Sequence, residues 1–79
     1  MAQESTANEV FDEVAKIFNV DVSTLTRETR INEDLDAGSM HKMILAGDMG
    51  AWTGKNVTYS QMNRCRTIGE IIDYVEANR

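Results

Sequence analysis

Proline is absent from this 79-residue chain, cysteine and histidine occur once each, and aromatic residues make up only 6%. A lone Cys65 excludes an internal disulfide, and Cys65 with His41 is too small a donor set for a metal site, so none is expected. Cation is scarce: 8 basic residues face 13 acidic ones, for a net charge of −5. That balance argues against nucleic acid and anionic lipid, both of which need a cationic surface, and favours partners with basic patches. No apolar run approaches the roughly 20 residues of a membrane span. The polar start, Met1-Ala2-Gln3-Glu4-Ser5, lacks the apolar core of a secretory leader, so the cytoplasm is the expected compartment. A chain this short has room for one hydrophobic core, which implies a single domain over 1–79.

With few aromatics, the apolar 42% is aliphatic and methionine-rich, and its spacing is helical. Val10, Phe11, Val14, Ile17 and Phe18 fall on one stripe, with Asp12, Glu13 and Lys16 facing away, and predict a first helix over 7–18. Thr6 and Glu9 have capping-box spacing at its start, and Asn19 is a plausible stop. Residues 19–38 form a long polar connection; Val20, Val22, Leu25, Ile31 and Leu35 are expected to pin it across the core, with a short helical turn over 21–25. A second helix should run from Ser39 to about 51 or 52. Leu45, Ala46, Met49 and Trp52 share one of its faces, and Met40, Met43, Ile44 and Gly47 share another, also apolar. Gly47 and Gly50 mark either close packing or a fraying end. After a turn at 53–56, Val57 points inward. Thr58 and Gln61 open a short helix over 59–64, and Thr67 and Glu70 open a last one over 68–77. The fold class is all-α: a small four-helix bundle of three longer helices and one short one.

The stretch Asn32-Glu33-Asp34-Leu35-Asp36-Ala37-Gly38-Ser39-Met40 carries the chemistry. An acidic loop ends in a serine that opens an apolar helix. A hydroxyl there lies beside free backbone N–H groups and the positive end of the helix dipole, a good place to keep a phosphate. The plainer reading is an N-cap serine. Asp34 and Asp36 are either solvated loop acids or helpers in presenting Ser39. His41 reads as a solvated helix residue, and no carboxylate or oxyanion site accompanies it for a Ser–His nucleophile, so no catalytic residue is expected. Cys65 reads as a buried structural thiol, Trp52 as packing at a helix end, and Asn56-Val57-Thr58 as a glycosylation pattern without meaning in the cytoplasm.

Asp34-Leu35-Asp36-Ala37-Gly38-Ser39-Met40 resembles the D-L-G-A-D-S-L motif of the acyl carrier protein family. Thr67-Ile68-Gly69-Glu70-Ile71-Ile72-Asp73-Tyr74-Val75 resembles the family's T-V-G-D-A-I-D-Y-I, at a distance from Ser39 that needs no gap. Val20-Asp21, Leu25-Thr26-Arg27-Glu28-Thr29 and Glu33-Asp34-Leu35 extend the likeness upstream, over nearly the whole chain. The resemblance implies a carrier rather than an enzyme. Its cofactor would be 4'-phosphopantetheine on Ser39, installed by a phosphopantetheinyl transferase. The thiol of that arm would hold an acyl or related intermediate as a thioester, in fatty acid, polyketide or related biosynthesis. Partners would be acyl-transferring or ketosynthase-type enzymes, met by a monomer through a face of the second helix where Met40, Met43 and Ile44 lie. Ala46, Met49, Met62, Cys65 and Ile71 are expected in the core under any reading, and the resemblance implies that some of them also line a cleft for the acyl chain. Two departures stand out: Asp36 and Gly38 exchange the family's glycine and aspartate, and the second helix has Asp48 as its only acid. The first motivates the alternative, an unmodified carrier-fold interaction module; the second leaves partners that grip acidic residues on this helix little to hold.

Overall fold

The computed structural model describes residues 2–79; Met1 of the polar start lies outside them. Four α-helices, α1 (Ala2–Phe18), α2 (Ser39–Thr53), α3 (Tyr59–Asn63) and α4 (Ile68–Asn78), surround one core, with a single 3-10 turn at Val22–Thr24 and no strand among the described residues. That core is aliphatic and sulfur-bearing, as the composition implies: Val10, Val14, Leu45, Met49, Met62, Ile68, Ile71 and Val75 are fully buried.

Helix α1 begins five residues before the expected start, and Thr6 does not cap it. Thr6 is buried inside the helix, where its hydroxyl accepts a 2.6 Å hydrogen bond from Arg79 Nη1, while Arg79 Nη2 reaches Glu9 at 3.0 Å. The two capping-box residues therefore bind the far end of the chain instead of each other. Asn19 stops the helix in left-handed backbone (φ 55), with Val20 N–H donating to the Ala15 carbonyl at 3.0 Å.

The connection 19–38 is held less by apolar pins than the spacing suggests. Leu25 and Ile31 are buried and Leu35 packs partly on the core, but Val20 and Val22 are exposed. Backbone pairing supplies the rest. Gly69 N–H donates to the Arg27 carbonyl (2.9 Å), Ile68 N–H to Thr29 (3.0 Å), and Ile31 N–H to Arg66 (2.9 Å). A Cβ on Gly69 would stand 2.9 Å from the Arg27 carbonyl oxygen, so only glycine permits this approach. Arg27 adds an ion pair to Asp73 at 2.7 Å.

The later caps form as their spacing predicts. Thr58 and Gln61 satisfy each other's backbone N–H at the start of α3, and Thr67 and Glu70 do so for α4. Helix α2 runs one residue beyond its expected end and closes on Gly54, whose left-handed backbone (φ 69) lets its N–H reach the Gly50 carbonyl at 2.9 Å. Val57 turns inward and Trp52 packs against the core edge.

Candidate functional site at the start of helix α2

Ser39 is the first residue of α2 and is exposed. The N-cap is Gly38, in extended backbone at φ −90, ψ 174, so the plainer reading of Ser39 as the capping residue does not hold. The Ser39 hydroxyl makes no hydrogen bond among the described residues. The first intrahelical bond runs from Lys42 N–H to the Gly38 carbonyl at 3.2 Å. The N–H groups of Ser39, Met40 and His41 precede it and are the free donors of the helix start. An exposed, unused hydroxyl thus stands beside donors and a positive dipole end, an arrangement suited to a phosphate ester.

One left-handed residue and two hydrogen bonds set the backbone in front of Ser39. Asp36 adopts left-handed backbone (φ 52). Ala37 N–H donates to the Ile31 carbonyl at 3.3 Å. Gly38 N–H donates to His41 Nδ1 at 3.0 Å. His41 is therefore not the solvated residue that its position suggests. Its ring packs on Phe18 at the end of α1, with centroids 4.6 Å apart and planes inclined by 34°. The sequence signal for this was present, a polar acceptor three residues after the N-cap, but a glycine at that cap hides it. Asp34 belongs to the loop rather than to Ser39. It accepts from Arg30 N–H at 2.8 Å and from the Arg30 guanidinium, which together hold its carboxyl below the usual carboxylate range.

The two apolar faces of α2 separate cleanly. Leu45, Ala46 and Met49 are buried, while Met40, Met43 and Ile44 are 74%, 62% and 48% exposed. No carboxylate accompanies the exposed set. Asp48, the one acid of α2, buries its Oδ2 atom without a hydrogen-bond partner. Burial first, and the Glu13 carboxyl of α1 second, push Asp48 up to about 7, opposed by Lys16. Glu13 thus faces α2 rather than open solvent. Lys42 leans away to Asn63 Oδ1 at 3.0 Å.

Of the residues expected to form the core between α2, α3 and α4, Ala46, Met49, Met62 and Ile71 are buried together, and Cys65 is half-buried at their margin. Burial, reinforced by Glu70, pushes the Cys65 thiol up to about 11, so it stays protonated and unreactive at neutral pH. A polar groove of about 420 Å³ lies elsewhere, lined by Arg27, Glu28, Arg30, Thr67, Gly69, Glu70 and Asp73, and its arginines are already paired with Asp73 and Asp34. No cluster able to hold a metal ion and no helix long and apolar enough to cross a membrane occurs among the described residues.

Searched against protein-family models, the chain matches none. Among curated proteins it is 32% identical over 69 residues to a Porphyromonas gingivalis protein named acyl carrier protein, a match covering 87% of this chain and 88% of that one. A Thermotoga maritima protein of the same name is 31% identical over 72 residues, covering 86% and 89%. One from Lactobacillus johnsonii is 24% identical over 79 residues, covering 100% and 99%.

Proposed function

The chain belongs to the acyl carrier protein family, and from that premise we propose that Ser39 is its attachment site for 4'-phosphopantetheine. The observation that carries the proposal is the Ser39 hydroxyl itself: exposed, without a hydrogen bond among the described residues, and at the dipole end of a helix capped by another residue. The function is acyl carriage in fatty acid biosynthesis. The relatives are named as carriers, which does not favour the unmodified interaction module.

In this reading Ser39 Oγ loses its proton to a phosphopantetheinyl transferase and attacks the pantetheine-bearing phosphorus of coenzyme A. The phosphoanhydride breaks and 3',5'-ADP leaves. The free N–H groups of Ser39, Met40 and His41 would hold the resulting phosphodiester anion, which the helix dipole would favour. Once attached, the arm supplies a terminal thiol that holds an acyl group as a thioester. Everything else the chain does is positional. The segment 36–38 fixes where the arm leaves the surface, and Met40, Met43 and Ile44, one turn away, offer partner enzymes an apolar contact. Acid, base and nucleophile for acyl transfer come from those partners, and the cytoplasm is where they would meet a monomeric carrier.

Mass spectrometry after incubation with coenzyme A and a broad-specificity transferase tests the attachment. The chain should gain one phosphopantetheine. Ser39→Ala should gain none and keep its helical circular dichroism, since the hydroxyl supports no structural bond. Modification of Ser39→Ala would refute the site.

A further inference from the structure

We propose that His41 is a positioning residue for the modification of Ser39. The inference rests on the attachment reading above and adds a residue to it.

A glycine directly before a reactive serine leaves the nucleophile on a loose pivot, because glycine has the widest backbone freedom of any residue. Gly38 also has no side chain with which to cap α2. His41 supplies what is missing. Its Nδ1 accepts the Gly38 N–H at 3.0 Å, tying the pivot to the first turn of the helix it precedes. A ring that accepts at Nδ1 carries its proton on Nε2, so the bond uses the neutral imidazole. The ring is held in turn by Phe18, 4.6 Å away between centroids, at the end of α1. The chain of restraint therefore runs from α1 through Phe18 and His41 to Gly38, and so to the backbone that carries Ser39. Ala37 is fixed separately by the Ile31 carbonyl. Removing the histidine acceptor leaves Gly38 held only on its carbonyl side, by the Lys42 N–H, and frees its amide between that anchor and the serine. His41 touches neither the hydroxyl nor the incoming phosphate in this account; it narrows the set of directions from which Ser39 Oγ is offered to the transferase.

Two substitutions separate the ring from the acceptor. His41→Phe keeps an aromatic ring against Phe18 and removes the acceptor. His41→Asn removes the ring and keeps an acceptor, since its Oδ1 is as many bonds from the backbone as Nδ1. Steady-state loading with coenzyme A and the transferase is measured for each, with hydrogen exchange of the Gly38 amide alongside. The phenylalanine variant should lose about fivefold in kcat, the worth of one ordinary hydrogen bond, with KM within about twofold of the parent, and its Gly38 amide should exchange faster. The asparagine variant should recover both. Equal kcat for the parent and His41→Phe, a loss confined to KM, or failure of asparagine to restore loading would each overturn the role. If His41→Phe does not fold, as judged by circular dichroism, His41→Ala set against His41→Asn isolates the acceptor, since both lack the ring. A parent chain that gains no phosphopantetheine overturns the Ser39 reading and this role together, whereas a loaded parent with an indifferent variant overturns this role alone.

Discussion

Asp36 takes the left-handed backbone before helix α2 and leaves Gly38 extended. Asp36 holds left-handed backbone at φ 52, and Gly38, two residues on, is extended at φ −90 and ψ 174, where any residue fits. The family motif that this segment resembles has glycine at the first position and aspartate at the second. In this chain the left-handed turn is carried by an aspartate, which tolerates it better than most side chains.

The first position should consequently be improvable and the second should not. Asp36→Gly removes left-handed strain and should raise stability by about 0.5 kcal/mol, the difference between the strain relieved and the freedom glycine adds to the unfolded chain. Gly38→Ala should bring little change, because the added Cβ meets only His41 Nδ1, at an ordinary 3.8 Å, and the unfolded-chain freedom it removes is offset by alanine's poorer standing as an N-cap. Urea unfolding measures both; a lower midpoint for Gly38→Ala would mean that the extended geometry there needs glycine after all.

The two glycines of α2 should respond oppositely to alanine. Gly47 is exposed, and a Cβ on it meets nothing within 4 Å, so Gly47→Ala should stabilise the helix by up to about 1 kcal/mol. At Gly50 a Cβ would stand 3.1 Å from the Lys55 carbonyl oxygen. That backbone cannot swing aside without disturbing the Gly54 cap, so Gly50→Ala should bring no gain. Thermal melts of the two single variants decide this, and a larger gain at position 50 would reverse the assignment.

Asp48 should make the fold less stable as pH rises. Unfolded, it titrates near 3.8; folded, near 7. Between those values the native chain holds a proton that the unfolded chain has released, so this contribution is full below pH 3.8, falls across the interval and is lost above 7. Glu13 across the interface opposes the second charge. Asp48→Asn keeps the shape and removes the charge, so it should flatten the slope and raise stability above pH 7. A parallel pH profile for parent and variant would show that the pair is uncoupled from folding.

Docking through Met40, Met43 and Ile44 should be nearly insensitive to salt, because apolar contacts are not screened. A ketosynthase that grips acidic residues on α2 should bind this chain weakly, since α2 presents no free carboxylate there. Binding titrations with such an enzyme at low and high ionic strength check both points. Tight, salt-sensitive binding would place the contact on another face. Met43→Glu should weaken any partner that does fit.

The sequence makes the helices, the split faces of α2 and the two later capping boxes legible, because each depends on residues three or four apart. What it conceals are relations between distant residues. Thr6 and Glu9 have the spacing of a cap, yet Arg79 takes both, and nothing local announces a partner 73 positions away in sequence. Glu13 sits on the polar side of its helix by periodicity, yet meets Asp48 once α2 is in place. His41 looks idle until Phe18 is brought beside it. The proposal for Ser39 could be made from the sequence because it rests on place in the chain, at the first turn after an acidic loop. That it does not cap the helix required the backbone of Gly38.

The pairing of residues 27–31 with 66–69 also sets an order of events during synthesis. The loop that leads into Ser39 is fastened by Gly69, 42 residues after Arg27. A nascent chain that has emerged only through α2 has the serine but not the fastening, and closing so long a loop must await the far segment. Ser39 therefore reaches its finished setting only once residues 66–69 have been made, so under the attachment proposal a transferase that reads that setting would pass over copies that stop short of them.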